Sequence, residues 1–248
     1  MSYTAHTLLG CVLLLASLPV EAQVTSIDYC PFFITQSGEY HVTRDLTCPA
    51  DGGIHIDADN VRLHLDGHTL DGLGVGAIGL LIIGSNNSVF GSGTVKNFQF
   101  NIFLGDPALL ETPVGNRLAN ITAAGSSGPG ILVTNSIQNA IINCTFTNNA
   151  YGIYLGIGSS RNAFISNTAR GNEFAGILVV YSDNVLLGNQ TDGNQYGIQV
   201  EVSSSRNAIL ANKAHHNTTY DLDDDNAACD DNVWKSNSFG TANRRCIH

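Results

Sequence analysis

Asparagine recurs in step through the second half of the chain. Asn162, Asn167 and Asn172 are followed by Asn184, Asn189 and Asn194, then by Asn207, Asn212 and Asn217. The spacing is 5 within each set and 22, then 23, between sets. A second marker keeps the same beat at Gly130-Ile131, Gly152-Ile153, Gly176-Ile177 and Gly197-Ile198. A repeat of this length is too short to bury its own apolar face, so its copies must stack as a solenoid.

Looser copies of the second marker fall at Gly53-Ile54, Gly79-Leu80, Asn101-Ile102 and Asp221-Leu222, which gives about eight turns. The longest step, from Asn101 to Gly130, holds an insertion over residues 106–116. Within each turn, short apolar runs alternate with Asn, Gly and Ser, and no helical period of useful length appears. Runs this short and this regular wind as a single-stranded right-handed parallel β-helix, an all-β solenoid. Each strand then pairs with its equivalent one turn away, about 4.8 Å distant.

Asparagine suits such a coil in two ways. It tolerates the left-handed backbone region that sharp bends need, and its side chain can bond to its copy in the next turn as a ladder. The residue two after the first Asn of a set is expected to point inward: Leu118, Ile141, Phe164, Leu186, Ile209 and Trp234 fill that slot.

The chain begins with an apolar run from Leu8 to Val20, with small residues around Val20-Glu21-Ala22, so residues 1–22 read as a secretory signal. No other segment has membrane-spanning length, so no span is expected after cleavage. Removing the signal leaves 11 basic against 20 acidic residues, a formal −9, compared with −10 for the whole chain. That balance repels phosphate backbones and argues against a nucleic-acid partner.

Cys30 and Cys48 bracket the start of the repeats, and Cys229 and Cys246 bracket the end. In an exported protein, secreted or periplasmic, these read as two disulfides, each closing a short loop. Solenoid ends expose strand edges and need covers. The expected layout is an N-terminal cap at 23–50, the β-helix at 51–225 and a C-terminal disulfide cap at 226–248. Cys144 is left over and reads as a packed, inert thiol.

The Gly-Ile strands, the Asn-x-x-x-x-Asn turns and the opening Leu63-His64-Leu65-Asp66-Gly67-His68-Thr69-Leu70-Asp71-Gly72 resemble the right-handed parallel β-helix repeat proteins of the pectate-lyase-like and NosD-like superfamily. The resemblance spans about residues 50–240. It implies a polysaccharide-associated protein, either binding or structural, or a lyase, hydrolase or epimerase relative acting on uronic-acid glycans. It also implies that any substrate groove lies on the outer face of the Gly-Ile sheet. The motifs that carry activity in such enzymes are incomplete here. Gly67-His68 continues into Thr69, where a polygalacturonase has Gly-His-Gly. Asp106-Pro107 continues into Ala108, where an alginate epimerase has Asp-Pro-His.

Strand alternation lists that outer face as His55, Asp57, Leu81, Ile83, Phe103, Leu132, Thr134, Tyr154, Leu178, Val180, Gln199, Glu201, Asp223 and Asp225. Its middle is apolar. This predicts either a cover, supplied by the 106–116 insertion or by self-association, or an aromatic strip for a glycan. Phe103, Tyr154, Gln199, Glu201, Asp223 and Asp225 are the candidate substrate-binding residues.

The acidic set Asp221, Asp223, Asp224, Asp225, Asp230 and Asp231 offers hard oxygen ligands suited to Ca²⁺, or paired carboxyls for glycosidic chemistry. A solvated acidic turn leading into the C-terminal disulfide is the simpler reading, so no cofactor is expected. His55, His64 and His68, with Asp57 and Asp66, form a histidine-bearing set of transition-metal ligand type. Nothing in their spacing brings three of them to one point, so no metal is assigned. Sequons such as Asn120-Ile121-Thr122 and Asn217-Thr218-Thr219 arise from the repeat itself and matter only in a eukaryotic source.

Overall fold

A computed structural model describes residues 24–49 and 52–248. The expected signal, residues 1–22, lies outside them. Every named element is a β-strand, and every strand pairing is parallel. Three columns of strands run the length of the solenoid. The first column contains 61–64, 88–90, 117–119, 140–142, 163–165, 185–187, 208–210 and 233–235. The second contains 122–124, 145–147, 168–170, 190–192 and 213–215, with the opening parts of the long strands 69–82 and 94–104. The third is the Gly-Ile column, with 54–56, the ends of 69–82 and 94–104, then 129–133, 151–155, 175–179, 196–200 and 220–224. Residues 32–34 pair beneath 54–56, so this column has nine rungs, one more than the markers alone gave.

Register explains the core. Leu118, Ile141, Phe164, Leu186, Ile209 and Trp234 pair in one file, and all are buried. Ile54, Ile56, Ile131, Val133, Ile153 and Leu155 are buried in the Gly-Ile column. The pile sits between the three columns and is apolar except at Thr191, which stands between Ala169 and Ala214 in the second column.

The asparagines form three buried ladders. Asn167 is typical. Its backbone N–H and its Nδ2 both donate to Asn189 Oδ1 at 2.9 and 3.0 Å. Its Nδ2 also donates to the Ile141 carbonyl, and its Oδ1 accepts the Cys144 N–H. Asn189 repeats this arrangement onto Asn212, and Asn212 onto Asn237. Parallel files run Asn116–Asn139–Asn162–Asn184–Asn207–Asn232 and Asn149–Asn172–Asn194–Asn217. The left-handed bends do not fall on these residues. They fall on the residue just before each one: Arg161, Ser166 and Gly171 in one turn, Asp183, Gly188 and Gly193 in the next. The two jobs assigned to asparagine therefore belong to neighbouring positions. A side chain in the left-handed conformation points to solvent, whereas the ladder residue turns its amide inward.

The Gly-Ile marker has its own cause. A Cβ on Gly130 would lie 2.9 Å from the Gly152 carbonyl oxygen, and one on Gly176 would lie 2.7 Å from that of Gly197. Only glycine lets successive windings approach this closely. The two departures from glycine, Asn101 and Asp221, sit at the ends of the third ladder. Asn101 Nδ2 donates to Asn149 Oδ1 at one end, and Asp221 Oδ1 accepts the N–H and Nδ2 of Asn217 at the other.

Disulfides join Cys30 to Cys48 and Cys229 to Cys246. Cys144 is buried and is the unpaired cysteine among the described residues. Burial pushes its thiol up to about 11, so at neutral pH it is a packing group and not a nucleophile.

Candidate functional site

The outer face of the Gly-Ile column carries three rows of side chains, set by register. Leu132 pairs with Tyr154, Tyr154 with Leu178, Leu178 with Gln199 and Gln199 with Asp223. One flanking row holds Tyr151, and further on Tyr196 beside Tyr220. The other holds Thr134, Val180, Glu201 and Asp225. Phe103, Leu81 and Leu178 are largely buried within the face, while Tyr154 is half-exposed.

Near the middle of the face lies an open cleft of about 380 Å³ lined by Phe100, Pro129, Leu132, Thr134, Tyr151, Tyr154, Gly156, Ile157 and Val180. Its aromatic wall is ordered by packing. Tyr151 stands edge-on to Tyr154 with ring centroids 5.4 Å apart, and stacks on Phe174 at 5.1 Å. Tyr151, Phe100 and Phe174 were absent from the alternation list. Tyr151 precedes the Gly-Ile marker, and Phe100 and Phe174 lie in the approach to the strand, so a period-two reading that starts at the marker passes over them.

The 106–116 insertion reaches only the edge of this face, where Glu111 and Thr112 line a cleft with Asp57 and Ile83, and it contributes no residue to the lining of the aromatic cleft. Asp106 gathers the N–H groups of Ala108, Leu110 and Glu111 on its carboxylate, folding the insertion onto itself. The Glu111 carbonyl accepts from Asn135 Nδ2, and the Val114 N–H donates to Ser85 Oγ, so the insertion packs on bends beside the column. Leu109 and Leu110 are 66% and 84% exposed.

The acidic set divides. Asp221 and Asp224 turn inward as end-pieces of the coil. Asp221 Oδ2 accepts the N–H groups of Gly240 and Thr241, while Asp224 Oδ2 accepts Trp234 Nε1 at 2.8 Å and Asn232 Nδ2 at 3.2 Å. Burial alone would raise the Asp221 carboxyl, but the bonds from Asn217, Gly240 and Thr241 outweigh it and hold the group below the usual range. These two carboxylates are occupied by the protein's own donors, so the six-residue Ca²⁺ constellation is not assembled as one set.

Asp223 and Asp225 lie on the outer side of the strand beside Glu201 and Gln199, Asp223 buried there and Asp225 exposed. Gln199 Nε2 donates to Asp225 Oδ2 at 3.4 Å. Burial first, then the charges of Asp225 and Asp224, pushes Asp223 up to about 6. Burial and then the Asp225 charge also raise Glu201. Burial, then Tyr151 and Glu201, raises the Tyr154 phenol, which places the aromatic cleft and the acidic end within electrostatic reach of each other. Arg244, whose Nε donates to the Asp224 carbonyl, is the cation whose charge lowers Asp223.

The sequence-derived histidine set is not brought to one point. His55 stands on the Gly-Ile column against Phe33 at 4.7 Å, and burial lowers its pKa against the opposing charge of Asp57. His68 reaches Asp45 at 3.4 Å. His64 and Asp66 instead meet His41 and Glu39, two residues of the first winding. Of the sequons named above, Asn120 is exposed, whereas Asn217 is buried in a ladder where a glycan could not be attached without breaking it.

Residues 52–239 match the family described as the right-handed beta helix region, and the chain belongs to that family. Among solved structures, the chain is similar to the periplasmic alginate epimerase AlgG T265N mutant, with 14% identity and a TM-score of 0.53 over 81% of this chain and 51% of that one. It is similar to ORF18 of Geobacillus virus E2, with 13% identity and a TM-score of 0.56 over 89% of this chain and 50% of that one. It is also similar to the pectate lyase Pel9A, with 11% identity and a TM-score of 0.53 over 92% of this chain and 69% of that one. The chain thus spans about half the length of the first two. At these identities the likeness is one of fold, shared by polysaccharide epimerases and lyases alike. No curated protein matches the sequence. No helix among the described residues is long and apolar enough to cross a membrane.

Proposed function

We propose that this is an extracytoplasmic β-helix protein that binds a neutral polysaccharide along the outer face of its Gly-Ile column. The observation that carries the reading is the open cleft walled by Phe100, Tyr151 and Tyr154. Aromatic faces with a polar edge suit stacking against sugar rings. Strands 129–133, 151–155, 175–179, 196–200 and 220–224 contribute no Lys or Arg, while Glu201, Asp223 and Asp225 stand at one end. A uronic-acid chain laid along the face would meet those carboxylates, so an uncharged chain fits better. The two disulfides support an oxidising compartment, and the leader-like residues 1–22 support export.

A second reading has one observation in its favour. Asp223 at about 6, flanked by Glu201 and Asp225, is a carboxyl that can hold and release a proton near neutrality, as a glycan-cleaving acid must. Retention on columns of neutral glycans, pectin and alginate, assayed alongside release of reducing and unsaturated ends, separates the two readings. Binding is expected on neutral glycans without turnover, and Tyr154→Ala should weaken it about tenfold or more, a loss of roughly 1.4 kcal/mol. Turnover on any of the glycans would favour the second reading. No retention on any glycan, together with a dimer in light scattering, would overturn both and assign the apolar face to self-association.

A further inference from the structure

We infer that Glu39, His41 and His64 form a binding site for a divalent transition-metal ion of the zinc class, with Asp66 as the carboxylate that orients the His41 imidazole. The site lies on the outer face of the first column, away from the Gly-Ile face, and does not depend on the glycan reading. Strand 38–42 pairs with 61–64 so that His41 stands opposite His64. The two rings stack, with centroids 4.1 Å apart and planes 11° from parallel. One ligand atom each from Glu39, His41 and His64 lies within 4.8 Å of the others.

Protonation follows from the hydrogen bonds. His41 Nδ1 donates to Asp66 Oδ2 at 2.6 Å. That bond fixes the Nδ1–H tautomer and leaves the Nε2 lone pair free, the arrangement by which a second carboxylate prepares a histidine for a metal. His41 Nε2 faces Glu39 Oε1 at 3.6 Å, and His64 Nε2 lies 2.9 Å from the same oxygen. Ligands at zinc–nitrogen and zinc–oxygen distances of about 2.0–2.1 Å sit about 3.3 Å apart around a tetrahedral ion, a value these two separations bracket. Despite the short approach, His64 Nε2 is shielded from solvent and forms no well-aligned hydrogen bond. A buried polar atom without a partner is a recognised sign of a bound ion or water.

The surroundings agree. Phe90 closes over His64 with ring centroids 4.0 Å apart, which limits water on that side. Arg62, opposite Glu39 in register, holds its guanidinium 5.3 Å from the Phe90 ring centroid, and among the described residues Glu39 pairs with His41 and His64. The two imidazoles are borderline nitrogen ligands, and with one carboxylate they favour zinc-class ions over Ca²⁺, which takes oxygen ligands. Three protein ligands leave one position open to water or to a ligand group. The other paired histidines, His215 and His216, line a cleft with Arg170, Lys213 and one carboxylate, Asp192, which is already bonded to both His216 and Arg170.

The test is zinc binding by the full chain after chelator treatment, followed by calorimetry and metal analysis. One zinc per chain is expected, undisplaced by Ca²⁺ in large excess. His64→Gln should abolish uptake, Asp66→Asn should weaken it about 10- to 100-fold, and the double variant His215→Gln/His216→Gln should leave it unchanged. Far-UV circular dichroism verifies that each variant folds. If His64→Gln does not fold, Glu39→Gln at the partly exposed rim gives the same readout. Absence of zinc uptake by the unaltered protein, displacement by Ca²⁺, or undiminished uptake in Glu39→Gln would overturn the assignment.

Discussion

Replacing Asn189 by Ala tests whether the ladders hold the windings together. The substitution removes Oδ1, which accepts the Asn167 N–H at 2.9 Å and Asn167 Nδ2 at 3.0 Å. It also removes Nδ2, which donates to the Phe164 carbonyl at 2.9 Å and to Asn212 Oδ1 at 3.0 Å. Not all of these groups are stranded. Asn167 Nδ2 keeps the Ile141 carbonyl, and Asn212 Oδ1 keeps the Asn189 N–H. The Asn167 N–H, buried with its residue, loses its partner. One unsatisfied buried donor costs about 1–3 kcal/mol, and each of the three further lost bonds about 1 kcal/mol net, so the expected loss is about 4–6 kcal/mol. The matched control is Asn143→Gly. It deletes an exposed side-chain bond to Asn120, at a left-handed backbone that glycine accepts, and should change stability by less than about 0.5 kcal/mol. Urea unfolding followed by the emission of Trp234, the chain's one tryptophan and 2% exposed, reads both, with circular dichroism checking that the windings unfold together. The midpoint should fall by roughly 1 M or more for Asn189→Ala. A loss no larger than that of the control would show that side-chain ladders contribute little and that apolar stacking alone sets the stability.

Asp223 should make stability depend on pH in the sense opposite to an ion-paired carboxylate. Its pKa is raised by the fold from the ordinary 3.8 to about 6, so its contribution is full below pH 4 and is lost as pH rises through 6. Because the Asp223 side chain is buried, the difference corresponds to about 3 kcal/mol. Asp223→Asn should therefore stabilise at pH 8 and not at pH 4 in paired melts, and an equal effect at both would refute the assignment. Cys144 should resist iodoacetamide at pH 8 in the folded protein and react after unfolding, as read by peptide mass mapping, because burial holds its thiol near 11. Paired Cys229→Ser and Cys246→Ser replacement should lower stability by about 3 kcal/mol, since the bridge spans 17 residues at the open end of the coil; urea midpoints check it.

The fold could be read from the sequence because every winding repeats one spatial problem. Phe164, Leu186 and Ile209 fill one slot, Asn167, Asn189 and Asn212 fill another, and a solenoid turns equal sequence steps into vertical neighbours. The division of labour at the bends was not legible. The left-handed residue varies among Arg161, Ser166, Asp183 and Arg206, because what that position needs is a tolerated backbone and a solvent-facing side chain.

The sites were less legible for the same reason that the fold was clear. Repetition reports what the windings share, whereas chemistry sits where one winding differs from the next. Asp221 and Asp223 are separated by one residue in an acidic run, yet one closes a ladder inside the coil and the other lies on the outer side of the strand with a raised pKa. Only the alternation of a strand at the end of the stack sorts them. His41 and Glu39 were missed because they lie in the first winding, where Gly-Ile and Asn-x-x-x-x-Asn are both absent. The register that sets His41 against His64 therefore had no marker to count from. In a solenoid, function is best sought where the period fails: the first winding, the last winding, and any rung whose outward residue breaks its file. The Glu39–His41–His64 group lies in the first windings and the Glu201–Asp223–Asp225 group in the last, whereas the aromatic cleft lies at a middle rung where Tyr154 interrupts a file of leucines.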